Sequence, residues 1–146
     1  MARVADILAR KGPQVHEISE GATVFEAIEK MVRNNIGSLI VMEGDSIAGI
    51  FTERDFLRRV ALGGLDPRKT KVREVMTDKL VCLDPGCSVQ DCMALMTQKR
   101  IRHLPVLDGP HLAGLVSIGD LVRHLSDEHE VQVRYLTDYI TGKYPA

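Results

Sequence analysis

At 146 residues, 45% hydrophobic and 27% charged, the chain can build one compact domain or two small ones under an ordinary polar surface. With 19 basic against 20 acidic residues the net charge is −1, so no global positive field draws nucleic acid or an anionic membrane, and the absence of Trp argues against base-stacking platforms. No apolar run approaches the roughly 20 residues that span a bilayer, Met1–Leu8 has no signal-peptide stretch, and an odd cysteine count fits a reducing compartment; the expectation is a cytoplasmic protein.

Val4–Leu8 is a short apolar segment ended by the Lys11-Gly12-Pro13 turn. Val15–Ile18 is a β-rich run followed by turn residues Ser19-Glu20-Gly21. Thr23 is placed to cap a helix, with Glu26 completing a capping box. Apolar residues at 24, 27, 28, 31 and 32 form the stripe of that helix. Ser38–Met42 and Ile47–Phe51 read as two strands joined by Glu43-Gly44-Asp45. Thr52 leaves the second strand, and a helix starts near Arg54. Residues 62–71, with Gly63-Gly64 and Asp66-Pro67, read as linker.

The pattern then recurs. Val72–Met76 resembles Val4–Leu8, and Leu80–Leu83 is a β-rich run before Asp84-Pro85-Gly86. Ser88 with Asp91 is a weaker capping box, and 89, 92, 93 and 96 form a second helical stripe. His103–Leu107 and Leu112–Val116 make a second hairpin about Asp108-Gly109-Pro110, and Ser117 leads into a helix near Gly119. Residues 23–55 align without a gap on residues 88–120. Val24 meets Val89, Met31 meets Met96, Leu39 meets Leu104, Gly49 meets Gly114 and Asp55 meets Asp120. Such a repeat decides the architecture. It predicts an α/β (α+β) chain of two β-α-β-β-α units, at 4–62 and 72–126, with linker 63–71 and a helical tail at 127–146.

Each hairpin ends in Gly-h-h-[Thr/Ser]-x-x-Asp, where h is apolar: Gly49-Ile-Phe-Thr52-Glu-Arg-Asp55 and Gly114-Leu-Val-Ser117-Ile-Gly-Asp120. The hydroxyl sits where a strand enters a helix, a place expected to offer open backbone N–H groups and a positive helix end. Hydroxyl and amides suit a phosphate or ribose oxygen. The carboxylate suits two ribose hydroxyls, because it accepts both hydrogen bonds. One copy alone is explained as a helix cap worth about 1 kcal/mol; recurrence in register argues for more. Beside the second copy lies Arg100-Ile101-Arg102-His103, a basic cluster suited to phosphate. The first repeat has Asn35-Ile36-Gly37-Ser38 there, so the two sites should differ.

These residues resemble cystathionine-β-synthase-type (CBS) domains, and the two repeats together resemble a tandem CBS pair, the Bateman module, over about residues 4–125. The resemblance implies two β-α-β-β-α repeats packed about a pseudo-twofold axis, plus a C-terminal helix. It implies two clefts that take an adenosine-containing ligand: AMP first, with ADP, ATP, S-adenosylmethionine or NAD(H) as alternatives. In one cleft Thr52 and Asp55 would hold phosphate and ribose, with Thr77, Val81, Ile101 and Arg102 lining it and Ser38 close by. In the other, Ser117 and Asp120 would do so, with His103 aimed at phosphate and His16, Ile36 and Gly37 facing the adenine. Because Gly37 stands where Arg102 has its guanidinium, the Thr52/Asp55 cleft is expected to prefer more phosphate charge. The resemblance further implies a regulatory homodimer with no catalytic role, acting on an effector protein in trans. An NAD(H)-binding redox sensor and a ligand-free scaffold remain open.

Other residues read as structural. Cys82, Cys87 and Cys92 have no metal-ligand spacing; Cys82 and Cys92 are expected to be buried, and Cys87 to sit in a turn. His111, His124 and His129 are expected at the surface. Met31, Met93 and Met96 are expected to pack at an interface. Phe56-Leu57 and Leu121-Val122 are candidate dimer contacts. Val131, Val133, Tyr135, Leu136, Tyr139 and Ile140 form an apolar set expected to pack on a second chain or back on the module.

Overall fold

The computed structural model describes residues 2–12, 15–126 and 140. The elements are α1 (Val4–Lys11), β1 (Glu17–Ser19), α2 (Val24–Asn34), β2 (Ser38–Glu43), β3 (Ser46–Thr52) and α3 (Glu53–Asp55), which a π-helical run (Phe56–Ala61) continues. There follow α4 (Val72–Val75), α5 (Val89–Lys99), β4 (His103–Asp108), β5 (His111–Ser117) and α6 (Ile118–Ser126). Apart from residue 140, the expected tail helix at 127–146, His129 included, lies outside the described residues.

The helices start and stop for local reasons. Thr23 accepts from the Glu26 N–H at 3.1 Å, and Ser88 accepts from the Asp91 N–H at 3.0 Å. Each such cap is worth about 1 kcal/mol. Asn35 (φ 53°) and Arg100 (φ 56°) end α2 and α5 in the left-handed region. Asn tolerates that conformation, whereas Arg100 bears a strain of about 1 kcal/mol. Both hairpins turn on a glycine of positive φ, Gly44 (61°) and Gly109 (59°), followed by a residue of negative φ, the II′ pattern.

In the first repeat β1 runs parallel to β2, and β2 antiparallel to β3, with Ser38 opposite Thr52 and Val41 opposite Gly49. In the second, β4 and β5 pair alike, with His103 opposite Ser117 and Val106 opposite Gly114. A bulge follows Val41 and, at the matching place, Val106. The expected strand at Leu80–Leu83 shrinks to one bridge, Leu83 to Val106. Two prolines are the cause. Ile40, the first-repeat counterpart of Pro105, donates its N–H to His16 O at 3.1 Å, and Glu20, the counterpart of Pro85, donates its own to Met42 O at 3.0 Å; proline has neither to give. Cys82 is exposed rather than buried, as its counterpart Glu17 is in β1, while Cys92 is fully buried.

Packing crosses the sequence repeats. Val15–Leu80 forms one compact unit, and the described residues of 1–14 and 81–146 form the other. Val4 and Ile7 of α1 join the core of Val89, Met96, Leu104, Val116 and Leu121 in the second repeat. Val72 and Val75 of α4 join Val24, Met31, Leu39, Val41 and Phe51 in the first. Backbone bonds hold both in the same way. Val4 N–H donates to Cys87 O and Val72 N–H to Ala22 O, each at 2.8 Å. The linker is pinned too: Val24 N–H donates to Thr70 O at 2.9 Å, and the Arg68 guanidinium lies 3.8 Å from the centre of the Phe25 ring.

The leading segments come so close that their contact points are glycines. A Cβ on Gly49 would lie 2.6 Å from Thr77 O and 2.8 Å from Met76 Sδ; on Gly114 it would lie 2.7 Å from Leu8 Cδ2. A leucine methyl can turn aside, and a backbone carbonyl cannot. Gly49→Ala is therefore expected to cost about 1–3 kcal/mol and Gly114→Ala clearly less, as read by urea unfolding of the two variants side by side.

Candidate functional site

In the first repeat, β3 delivers Thr52 to the start of α3. The Thr52 hydroxyl accepts from Asp55 N–H at 3.2 Å, while Asp55 Oδ2 accepts from Thr52 N–H at 3.0 Å and from the Thr52 hydroxyl at 3.2 Å. The other oxygen, Oδ1, accepts from the Thr77 hydroxyl at 3.0 Å. Asp55 is buried, as is Ser38 across the sheet from Thr52. Thr77 reaches Asp55 because its backbone bridges Ile50, each N–H donating to the other's carbonyl at 2.9 Å.

The second repeat builds the same loop with different chemistry. Asp120 Oδ2 accepts from Ser117 N–H at 2.9 Å, and Ser117 Oγ accepts from Asp120 N–H at 3.2 Å. Where Thr77 meets Asp55, the Lys11 ammonium meets Asp120 Oδ2 at 2.9 Å and Leu115 O, the counterpart of Ile50, at 2.7 Å. Arg123, one helical turn on, donates to Asp120 Oδ1. The Asp120 side chain is only 3% exposed, against 33% for Lys11 and 73% for Arg123. A cleft of about 310 Å³ opens beside it, lined by Ile7, Arg10, Lys11, Asp120, Arg123 and His124. Burial pushes the Asp120 carboxyl up, but the Lys11 and Ser117 hydrogen bonds and the Lys11 charge outweigh it and hold the group below its usual range.

Duplicated hairpins, each with a hydroxyl three residues before a buried carboxylate, fit one family. A model of the CBS domain matches residues 4–62 and 72–127. The chain belongs to the CBS-domain family. It is 37% identical over 150 residues to the CBS domain-containing protein CBSX3, mitochondrial, of Arabidopsis thaliana, covering 97% of this chain and 73% of that protein. It is 39% identical over 116 residues to the CBS domain-containing protein YhcV of Bacillus subtilis, covering 79% and 82%. The solved structure of a CBS-domain protein from Burkholderia ambifaria, provisionally assigned to signal transduction, superposes with a TM-score of 0.84 at 44% identity, covering 88% of this chain and 97% of that one. CBS pairs are a regulatory and signalling class, and this chain is one of them.

Within this CBS pair the site residues divide between the two compact units. Thr52, Asp55, Ser38, Thr77, His16, Ile36 and Gly37 lie in Val15–Leu80; Ser117, Asp120, His103, Val81, Ile101 and Arg102 lie in the other unit. The first amide of each helix is not open, contrary to the expectation from the motif. Glu53 N–H donates to Gly37 O at 3.1 Å, and Ile118 N–H to Arg102 O at 2.9 Å. A Cβ on Gly37 would lie 2.6 Å from Glu53 Oε1, the tip of a side chain that can turn aside. A cleft of about 470 Å³ between α2 and the α3–π segment is lined by Asn35, Ile36, Gly37, Glu53 and apolar side chains, and leaves out Thr52 and Asp55.

Three cations were missed by reading the motif alone. Arg123 had a local signal, three residues after Asp120 on one helix face. Arg10 and Lys11 had none, because Lys11 is 109 residues from Asp120. His124, expected at the surface, is buried on α6 because it shares a face with Leu121 and Leu125. Among the described residues no three His, Cys, Asp or Glu side chains gather as a metal site, and no helix is long and apolar enough to cross a membrane.

His103 opens β4 opposite Ser117. Burial above all, and then the Lys11 ammonium, push its pKa from 6.5 down to about 4; Asp120 pulls it back in part and Arg102 adds to the fall. The folded chain thus holds this imidazole neutral where the unfolded chain protonates it. Stability from this group is complete above pH 6.5 and is lost as pH falls toward 4. His103→Gln is expected to flatten the decline in that window by up to about 1.4 kcal/mol per pH unit, read from urea midpoints across pH. The Asp120 contribution fades at lower pH, at and below the ordinary 3.8.

Proposed function

We propose that this CBS pair is a non-catalytic sensor of adenosine-containing ligands, AMP foremost, with one binding position at Asp55 and one at Asp120. The supporting observation is the in-register recurrence of a buried carboxylate whose second polar partner comes from a distant segment, Thr77 in one repeat and Lys11 in the other. Helix capping accounts for Thr52 and Ser117; it does not account for those partners. A vicinal diol that displaces Thr77 or Lys11 would give the carboxylate two hydroxyl donors in exchange. Occupancy is read by an effector in trans, and the signal is limited to the ligand's differential affinity for the two shapes.

Calorimetric titration with AMP, ATP, S-adenosylmethionine and NADH tests this. Heat is expected with at least one of them, with Asp55→Ala and Asp120→Ala each removing one component. NADH displacing AMP with tighter binding would favour the redox-sensor reading. No heat and no thermal shift with any of the four would leave the scaffold reading.

The same reading makes the chain a homodimer. Val32, Leu57 and Leu62 support it, standing 75%, 59% and 85% exposed on α2, at the start of the π-helical run and just past its end. Light scattering is expected to give twice the 16.2 kDa chain mass, falling to one chain for Val32→Glu with Leu57→Glu. A monomeric wild type would remove this part.

A further inference from the structure

The two carboxylates differ in what holds them. Asp55 is met by a neutral hydroxyl, whereas Asp120 is met by an ammonium and a guanidinium. Among the described residues the cleft of about 310 Å³ beside Asp120 is lined by Arg10 as well as by Lys11 and Arg123. Lys11 and Arg123 both bond the same carboxylate, two positive charges on one negative. We propose that this cleft is a polyphosphate site, in which Arg10, Lys11 and Arg123 take the phosphate oxygens and Lys11 is a latch that releases Asp120 when they arrive.

The mobile half of the latch is the lysine. Asp120 is fixed by the Ser117 N–H and almost fully buried, while Lys11 is a third exposed, on a long stem in the last turn of α1. An ammonium is a point charge that swings from carboxylate to phosphate without demanding a plane; the two guanidinium forks can grip phosphate oxygens in pairs. The choice reverses the expectation drawn from Gly37 and Arg102, because the charge brought together in the fold lies around Asp120.

The proposal rests on Asp120 as the ribose acceptor, and it makes sugar and phosphate binding depend on each other. A nucleoside without phosphate must compete with Lys11 for the carboxylate. A nucleoside triphosphate draws Lys11 from Oδ2 and Arg123 from Oδ1, leaving the diol both oxygens with only the Ser117 N–H still on Oδ2. Affinity here should therefore climb steeply with phosphate number.

The test uses the full chain carrying Asp55→Ala, titrated with adenosine, AMP, ATP and inorganic triphosphate. ATP is expected to bind at least about tenfold more tightly than adenosine. Lys11→Met should weaken ATP and triphosphate on the order of tenfold, the loss of one charge-assisted contact, and leave adenosine equal or tighter. Lys11→Arg should keep ATP binding, and circular dichroism confirms that each variant folds. Equal losses for adenosine and ATP, or no change in either, would overturn the latch. Triphosphate binding that needs Lys11, with no nucleoside bound, would uphold the polyphosphate site and sink the ribose reading. Adenosine binding lost with Asp120→Ala, with triphosphate not bound at all, would do the reverse.

Discussion

The close approach of a leading segment to a hairpin, at Gly49 and at Gly114, is the constraint on which both halves of the molecule depend. Neither hairpin buries its inner face with the residues of its own repeat. Val72 and Val75 complete the core over β2 and β3, and Val4 and Ile7 complete the core around β4 and β5. A side chain at Gly49 would meet a backbone carbonyl and hold its segment off, whereas at Gly114 it would press on a leucine methyl that can turn aside. The same approach brings Thr77 to Asp55 and Lys11 to Asp120, so the packing and the candidate sites have one cause.

Duplication supplies two sites, and small differences in the leading segments make them unequal. α4 stops after one turn at Val75, and the chain then bridges Ile50 through the Thr77 backbone. α1 runs on to Lys11, which reaches Leu115 with its ammonium instead. The ammonium takes the place of the Thr77 backbone N–H on the hairpin carbonyl and bonds Asp120 Oδ2, whereas the Thr77 hydroxyl bonds Asp55 Oδ1, the oxygen whose counterpart Arg123 holds. The exchange changes the local charge by a full unit beside a carboxylate that is 3% exposed, where solvent screens least. His103, held neutral in the same neighbourhood, adds no charge of its own at neutral pH.

Much of the local structure was legible before folding was considered. The caps at Thr23 and Ser88, the II′ turns at Gly44 and Gly109, and the helix starts after Thr52 and Ser117 follow from side chains within three residues of where they act. The lost strand before Leu83 was written in Pro85 and Pro105, though only the register of β1 on β2 shows which hydrogen bonds the prolines remove. The exposure of Cys82 and the burial of His124 were misjudged because each was read without its neighbours: Cys82 alternates with buried Leu83, and His124 shares a helix face with buried Leu121 and Leu125.

The sequence alone determined the repeat, the two hairpins with the helix before and after each, and the two carboxylates, because in each case the cause is a short-range pattern of polarity, capping or backbone freedom. Only the tertiary structure decided that the leading helices exchange between repeats, that the first helical amides are already taken by Gly37 and Arg102, and that Lys11 sits on Asp120. The reason is distance along the chain. A contact across 109 residues leaves no periodic trace in either partner; it exists because burying Val4 and Ile7 carries the end of α1 to the start of α6.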